Sequence, residues 1–201
     1  MKKLFYSIIV LIILSTGCSQ NAEKYFAQGK GKFDLKDYKG AIVDLNKALE
    51  INPKYAKAYF LRGGVKVNLK DLTGAIADFN NAIEIDPKYA DAYQLRGIVK
   101  FFLQDIRGAI SDYTSAIDIN PKNSSFYNSR GLAKGGLKDD TGAISDYTKS
   151  IELDPKGAEA YYERGCIKIS LGMKESGCLD LSKAGELGYE KAYQAIKWWC
   201  K

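Results

Sequence analysis

All four prolines of this chain, Pro53, Pro87, Pro121 and Pro155, are spaced 34 residues apart. The same interval separates Gly40, Gly74, Gly108 and Gly142, and it separates Arg62, Arg96, Arg130 and Arg164. Asp44, Asp78, Asp112, Asp146 and Asp180 follow it as well. A fixed period between about 20 and 50 residues marks a repeat architecture. Each copy must then fold alike and bury its apolar stripe against its neighbours.

One copy shows what the unit is. From Ala90 to about Leu103, Tyr93, Gly97 and Phe101 recur at intervals of four, with Ile98 and Phe102 beside them. That spacing predicts a helix. Asp105 offers an N-cap for a second helix, whose stripe is Ala109, Ile110, Tyr113, Ala116 and Ile117. Pro121 lacks an amide hydrogen and clashes with a preceding turn, so it stops that helix. The unit is a helical hairpin. Gly97 and Ala109 let the two backbones approach, with Tyr113 over the glycine; Gly63, Ala75 and Phe79 repeat the arrangement, as do Gly131, Ala143 and Tyr147.

With these residues in view, residues 22–189 resemble five tetratricopeptide repeats (22–55, 56–89, 90–123, 124–157 and 158–189). The resemblance rests on Tyr25, Tyr59, Tyr93, Tyr127 and Tyr161, on Gly29, Gly63, Gly97, Gly131 and Gly165, and on Ala41, Ala75, Ala109 and Ala143. It implies an all-α fold, a right-handed α-solenoid whose concave face is lined by the first helix of each unit. Three departures stand out. Arginine replaces an aliphatic residue in four units, Gly177 replaces the small alanine of the fifth, and that unit ends at Tyr189 without a proline. Residues 190–201 read as a capping helix that closes the array.

In this family the concave groove takes extended peptides or partner helices. Carried across, its positions are Phe26, Lys30 and Phe33, then Phe60, Gly64 and Asn68, then Gln94, Ile98 and Phe102. Asn128, Leu132 and Gly136 follow, and finally Tyr162, Cys166 and Ser170. The family's clamp for a C-terminal carboxylate needs a lysine and asparagines; here Phe26 and Lys30 stand at two of those positions, so that clamp is missing. What remains is apolar at one end, with Gln94 and Asn128 placed to bond a peptide backbone. Phe101 and Phe102 are adjacent and cannot both face the groove.

The first residues have a different character. Lys2 and Lys3 precede a mostly apolar run from Leu4 to Leu14, and small residues follow. The run is too short to span a bilayer and fits a signal peptide, residues 1–17. Leu14-Ser15-Thr16-Gly17-Cys18 resembles a bacterial lipobox, which implies acylation of Cys18 and cleavage before it. Ser19 after the cysteine, by resemblance to enteric sorting, points to the outer membrane. Residues 18–21 leave a linker of three residues, reaching roughly 10 Å, so the array would sit close to the bilayer.

The rest of the composition mainly excludes. Cleavage before Cys18 would leave 28 basic against 24 acidic residues, a net charge of +4, with the signs interspersed. That is a solvated surface, and nucleic acid is not an expected partner. There is no histidine, which removes the commonest general base and metal ligand. The cysteines are too scattered for a zinc site, and nothing near Cys166 is suited to deprotonate it. No catalysis, metal or cofactor is expected. A helix from about Ser176 to Leu187 and the capping helix should run antiparallel around Gly188. Counting outward sets Cys178 opposite Cys200 as a candidate disulfide, with free buried thiols as the alternative.

The repeated arginines, each followed four residues later by lysine (Arg62 and Lys66, for example), have two readings. One is an ion pair to the repeated aspartates between helices; the other is a basic ladder for an acidic ligand. The first is favoured, because a charge present in every unit serves what every unit shares. The expected function is a membrane-anchored scaffold binding a protein or peptide in envelope assembly or secretion. Self-association, for instance through Trp198 and Trp199, and service as a non-catalytic subunit of an envelope enzyme are the alternatives.

Overall fold

The computed structural model of the protein describes residues 20–200. Residues 1–17 and Cys18, which carry the signal-peptide and lipidation expectations, lie outside the described residues. Helices dominate, with no strand among the described residues: α1 (20–34), α2 (Tyr38–Ile51), α3 (Ala56–Asn68), α4 (Leu72–Ile85) and α5 (Ala90–Phe102). α6 (Ile106–Ile119), α7 (Ser124–Gly136), α8 (Asp140–Leu153), α9 (Ala158–Ser170), α10 (Lys174–Glu186) and α11 (Glu190–Trp199) follow. The expected all-α fold of paired helices is the one adopted. No helix among the described residues is long and apolar enough to cross a membrane.

The periodic residues make the boundaries. Asp37, Asp71, Asp105 and Asp139 cap α2, α4, α6 and α8, each accepting from the amide three residues on, at Gly40, Gly74, Gly108 and Gly142. The capping carboxylate occupies the space a Cβ would need on those glycines, which explains their recurrence. The preceding helices end in a left-handed residue: Lys36, Lys70, Gln104 and Lys138 have φ of 60–66°. Asp37 N then donates to Lys32 O at 2.8 Å and Lys36 N to Phe33 O at 2.8 Å, satisfying carbonyls the helix leaves open. At the other connection the helix stops at Ile51. Asn52 then accepts from Tyr55 N through its carbonyl (3.2 Å) and from Lys54 N through its side chain (3.0 Å), with Pro53 inside the turn.

The chain forms two compact units, one ending at Val99 and one beginning at Lys100. In the first, Ala41, Leu45, Ala48, Ala58 and Val65 form one buried cluster and Ala75, Phe79 and Val99 another. Phe79 lies against Gly63 so closely that an added Cβ would meet its ring at 2.7 Å. In the second, Tyr147 covers Gly131 in the same way, with a Cβ 3.0 Å from its ring. The fifth hairpin goes further: a Cβ on Gly165 would sit 2.9 Å from the Gly177 carbonyl, and one on Gly177 2.8 Å from that of Gly165. Glycine at 177, where the repeat has alanine, is what lets α9 and α10 approach this closely. α10 starts at Lys174 and not at about Ser176, because the repeat register sets the start and Met173 occupies the capping position without a side-chain bond.

Two adjacent glycines allow a sharp test. A Cβ on Gly64 meets nothing within 4 Å, whereas one on Gly63 meets Phe79, which is fully buried. Gly64→Ala should raise stability by about 0.5–1 kcal/mol through helix propensity. Gly63→Ala should lower it by about 1–2 kcal/mol, the overpacking outweighing the same propensity gain. Urea denaturation of the two variants reads the difference.

Candidate functional site

The first helix of each hairpin has an inward and an outward duty, and the inward one fixes its orientation. Arg62 donates from Nε and Nη2 to the two carboxylate oxygens of Asp78 at 2.9 and 2.6 Å, and from Nη1 to Asn46 of the preceding hairpin at 2.7 Å. Its guanidinium lies 5.3 Å from the Tyr59 ring centroid. Arg130 repeats this with Asp146 (2.9 and 2.7 Å), Thr114 (3.2 Å) and Tyr127 (5.7 Å). Arg164 does so with Asp180 (2.9 and 2.7 Å), Thr148 (3.0 Å) and Tyr161 (5.7 Å). Arg96 donates to Asn80 at 2.7 Å and lies over Tyr93. Lys66, Lys134 and Lys168 add a second cation to each aspartate at 2.7–2.8 Å. These arginines point into the fold and are not presented as a ladder; the ion-pair reading holds. The first hairpin has Gln28 at the arginine position, and Lys32 meets Asp44 at 2.7 Å.

In the first unit, the expected groove residues divide. Phe33, Asn68 and Ile98 come together with Gly64, Val67, Leu95 and Val99 around an apolar cavity of about 200 Å³. Val67 and Leu95 escaped the sequence reading, although Val67 stands one period after Phe33. Phe26 and Phe60 are instead partly occupied by packing. Phe26 tilts onto Tyr55 at 5.0 Å, and Phe60 onto Tyr89 at 4.7 Å and Phe79 at 6.0 Å. Tyr55 and Tyr89 line a second, more polar cavity of about 400 Å³ with Glu23, Lys57 and Asp86. Burial, then Asp91 and Asp86, push the Tyr89 phenol up to about 12, so it is a hydrogen-bond donor at any ordinary pH. Lys30 is exposed and Gln94 half-buried.

The second unit is more polar. Phe102 is 69% exposed, edge-on to Phe101 at 6.5 Å. Asn128, expected to bond a peptide backbone, donates from Nδ2 to Glu159 Oε2 at 3.0 Å; its buried Oδ1 has no donor. Leu132, Gly136 and Ser170 are exposed. Tyr162 tilts onto Tyr189 at 4.8 Å and borders a cavity of about 290 Å³ with Lys191, Gln194, Ala195, Trp198 and Trp199. Burial, then Glu159, raise the Glu163 carboxyl, with Lys191 opposing. Burial also raises the Cys166 thiol, against a hydrogen bond from Tyr162, which keeps it protonated. Cys178 and Cys200 are joined by a disulfide, and Cys166 is free. Among the described residues no cluster could hold a metal ion.

These hairpins, locked through their inner faces and varied on the faces of their first helices, define a helical repeat protein. Two family models, a TPR repeat at residues 22–69 and 63–103 and a tetratricopeptide repeat at 90–123 and 124–156, match it in succession. The chain belongs to the tetratricopeptide repeat family. No curated protein matches it. Among solved structures, that of MamA is 25% identical with a TM-score of 0.75, over 82% of this chain and 96% of that one. YrrB, described as a TPR protein with an unusual peptide-binding site, shares the fold at 22% identity and a TM-score of 0.73, over 86% and 90%. The first TPR of Spaghetti (RPAP3), solved bound to an HSP90 peptide, is 27% identical with a TM-score of 0.58, over 60% of this chain and 95% of that one.

Two substitutions test the electrostatics. Arg130→Ala leaves the buried Asp146 with Lys134 alone and should cost about 3 kcal/mol, with Arg130→Lys intermediate because it loses the fork. Glu163, with a raised folded-state pKa, contributes stability below the ordinary carboxyl range and loses it as pH rises through the folded value. Glu163→Gln should therefore stabilise at pH 7, with the gain vanishing in acid. Thermal melts across pH would show it.

Proposed function

We propose that this protein is a non-catalytic scaffold that binds a protein or peptide segment on the exposed faces of its first helices, held at a membrane through acylated Cys18. Tetratricopeptide repeat proteins mediate protein and peptide binding, and two of the similar structures come from proteins described as peptide-binding or solved with a peptide. The observation that carries the reading is the cavity at Gly64. A Cβ there would touch nothing in the chain, so packing does not require glycine, and its absence of a side chain keeps an apolar cavity open. A partner's apolar side chain entering it would gain about 1.5–3 kcal/mol.

The anchor reading rests on Lys2, Lys3, the short apolar run and the lipobox-like Leu14–Cys18. Together with Ser19 it favours a bacterial outer membrane and a role in envelope assembly or secretion. A second copy of the chain is the alternative partner.

Photocrosslinking from position 68 in cells tests the binding. Gly64→Leu, which fills the cavity, should weaken the crosslinked product about tenfold or more, while Gly64→Ala leaves it in place. Equal crosslinking in both variants would refute the cavity as the contact point. Separately, Cys18→Ser should abolish incorporation of a labelled fatty acid and release the protein from membranes.

A further inference from the structure

α11 is built as a first helix, not as a generic cap. Ala192-Tyr193-Gln194 repeats Ala92-Tyr93-Gln94, and in that register Ile196, Lys197 and Trp198 stand where Arg96, Gly97 and Ile98 stand. Two attachments that orient α3, α7 and α9 are therefore missing from it. Ile196 cannot make the arginine fork. Lys197 stands at the position where the other first helices have the glycine that a second helix crosses, and it is exposed.

What holds α11 is modest. Ala192 and Ala195 are buried, Tyr193 Oη donates to Gly185 O at 2.9 Å, and the disulfide ties Cys200 to Cys178 of α10. The helix has ten residues, too few to persist alone in water. Yet it supplies most of the Tyr162 cavity: Lys191, Gln194, Ala195, Trp198 and Trp199. Trp198 is 70% exposed, at the register position of Ile98, which lines the cavity beside Gly64. Both bonded cysteines are half-buried and neither is sealed in the core.

We propose that the Cys178–Cys200 disulfide is a redox latch on this cavity: reduction by a dithiol releases α11 and dismantles the site. One thiolate of the dithiol attacks a sulfur of the bridge, giving a mixed disulfide, and its second thiol displaces the protein. Two electrons and two protons pass to Cys178 and Cys200, which become thiols, and the dithiol closes to its own disulfide. Opening the 22-residue loop should lower the docking equilibrium constant of α11 about a hundredfold. The consequence for binding rests on the scaffold reading; the latch itself does not.

Hydrogen exchange of the full chain, read by mass spectrometry, tests it. Amides of residues 194–199 should exchange about a hundredfold faster after dithiothreitol treatment and in the Cys178→Ser/Cys200→Ser variant. Those of α7 and α8 should be unchanged, and reoxidation should restore protection in the wild type. Unchanged protection of α11 after reduction would overturn the proposal. So would loss of protection across α7–α10 together, which would make the bridge a general staple, or free thiols at both positions in the air-exposed protein. No partner enters these measurements, so the latch and the scaffold reading fail separately.

Discussion

A carboxylate buried inside each hairpin is the constraint the rest of the molecule answers. Asp78, Asp146 and Asp180 lie almost out of reach of water. An ionised carboxylate there is costly by several kcal/mol unless it is both paired and hydrogen-bonded. The arginine fork supplies two bonds and a charge, and the lysine one turn later supplies another. A guanidinium has donors to spare, and one of them reaches a side chain of the preceding hairpin, Asn46 for Arg62 and Thr148 for Arg164. One electrostatic need thus sets the geometry within a hairpin and its register on the previous one.

That frame frees the opposite side of the first helices to vary. In the first unit the cavity beside Gly64 is lined by half-buried aliphatic and aromatic residues, with exposed Asn68 at its edge. In the second, Asn128, Glu159 and Glu163 bring acceptors and charge, with Tyr162 and Trp198 beside the polar tips of Lys191 and Gln194. Identical scaffolding with unlike surfaces is how a repeat protein acquires specificity without changing its fold.

The period made most of the fold legible before any coordinates. Four capping aspartates, four helix-stopping turns and the crossing glycines each recur 34 residues apart, so one physical account of Asp105, Gly97 and Pro121 served every copy. The surface was less legible, because periodicity gives the face of a helix and not what lies beside it. Phe26 and Phe60 fell on the right face, but Tyr55 and Tyr89, 29 residues further on, claim part of each ring. Val67 and Leu95 sit next to Asn68 and Gln94 in the chain, and spacing alone does not say which of two neighbours turns toward the cavity. Asn128 found a partner in Glu159, 31 residues away, a pairing no spacing rule announces. The sixth first helix went unread for a plainer reason: the fifth hairpin is two residues short, which shifts Tyr193 out of the 34-residue count although Ala-Tyr-Gln is copied intact.

Gly63 and Gly64 set the two demands on such a helix side by side. The first is forced by its own chain, because Phe79 fills the space where a side chain would be. The second faces open space, costs helix stability that alanine would restore, and contributes nothing to the core. Packing within the chain therefore does not account for glycine at 64, and the scaffold reading proposed above is what would account for it. Lys197, at a position where the inner frame has glycine in the other first helices, and Trp198, exposed next to it, mark where α11 departs from that frame.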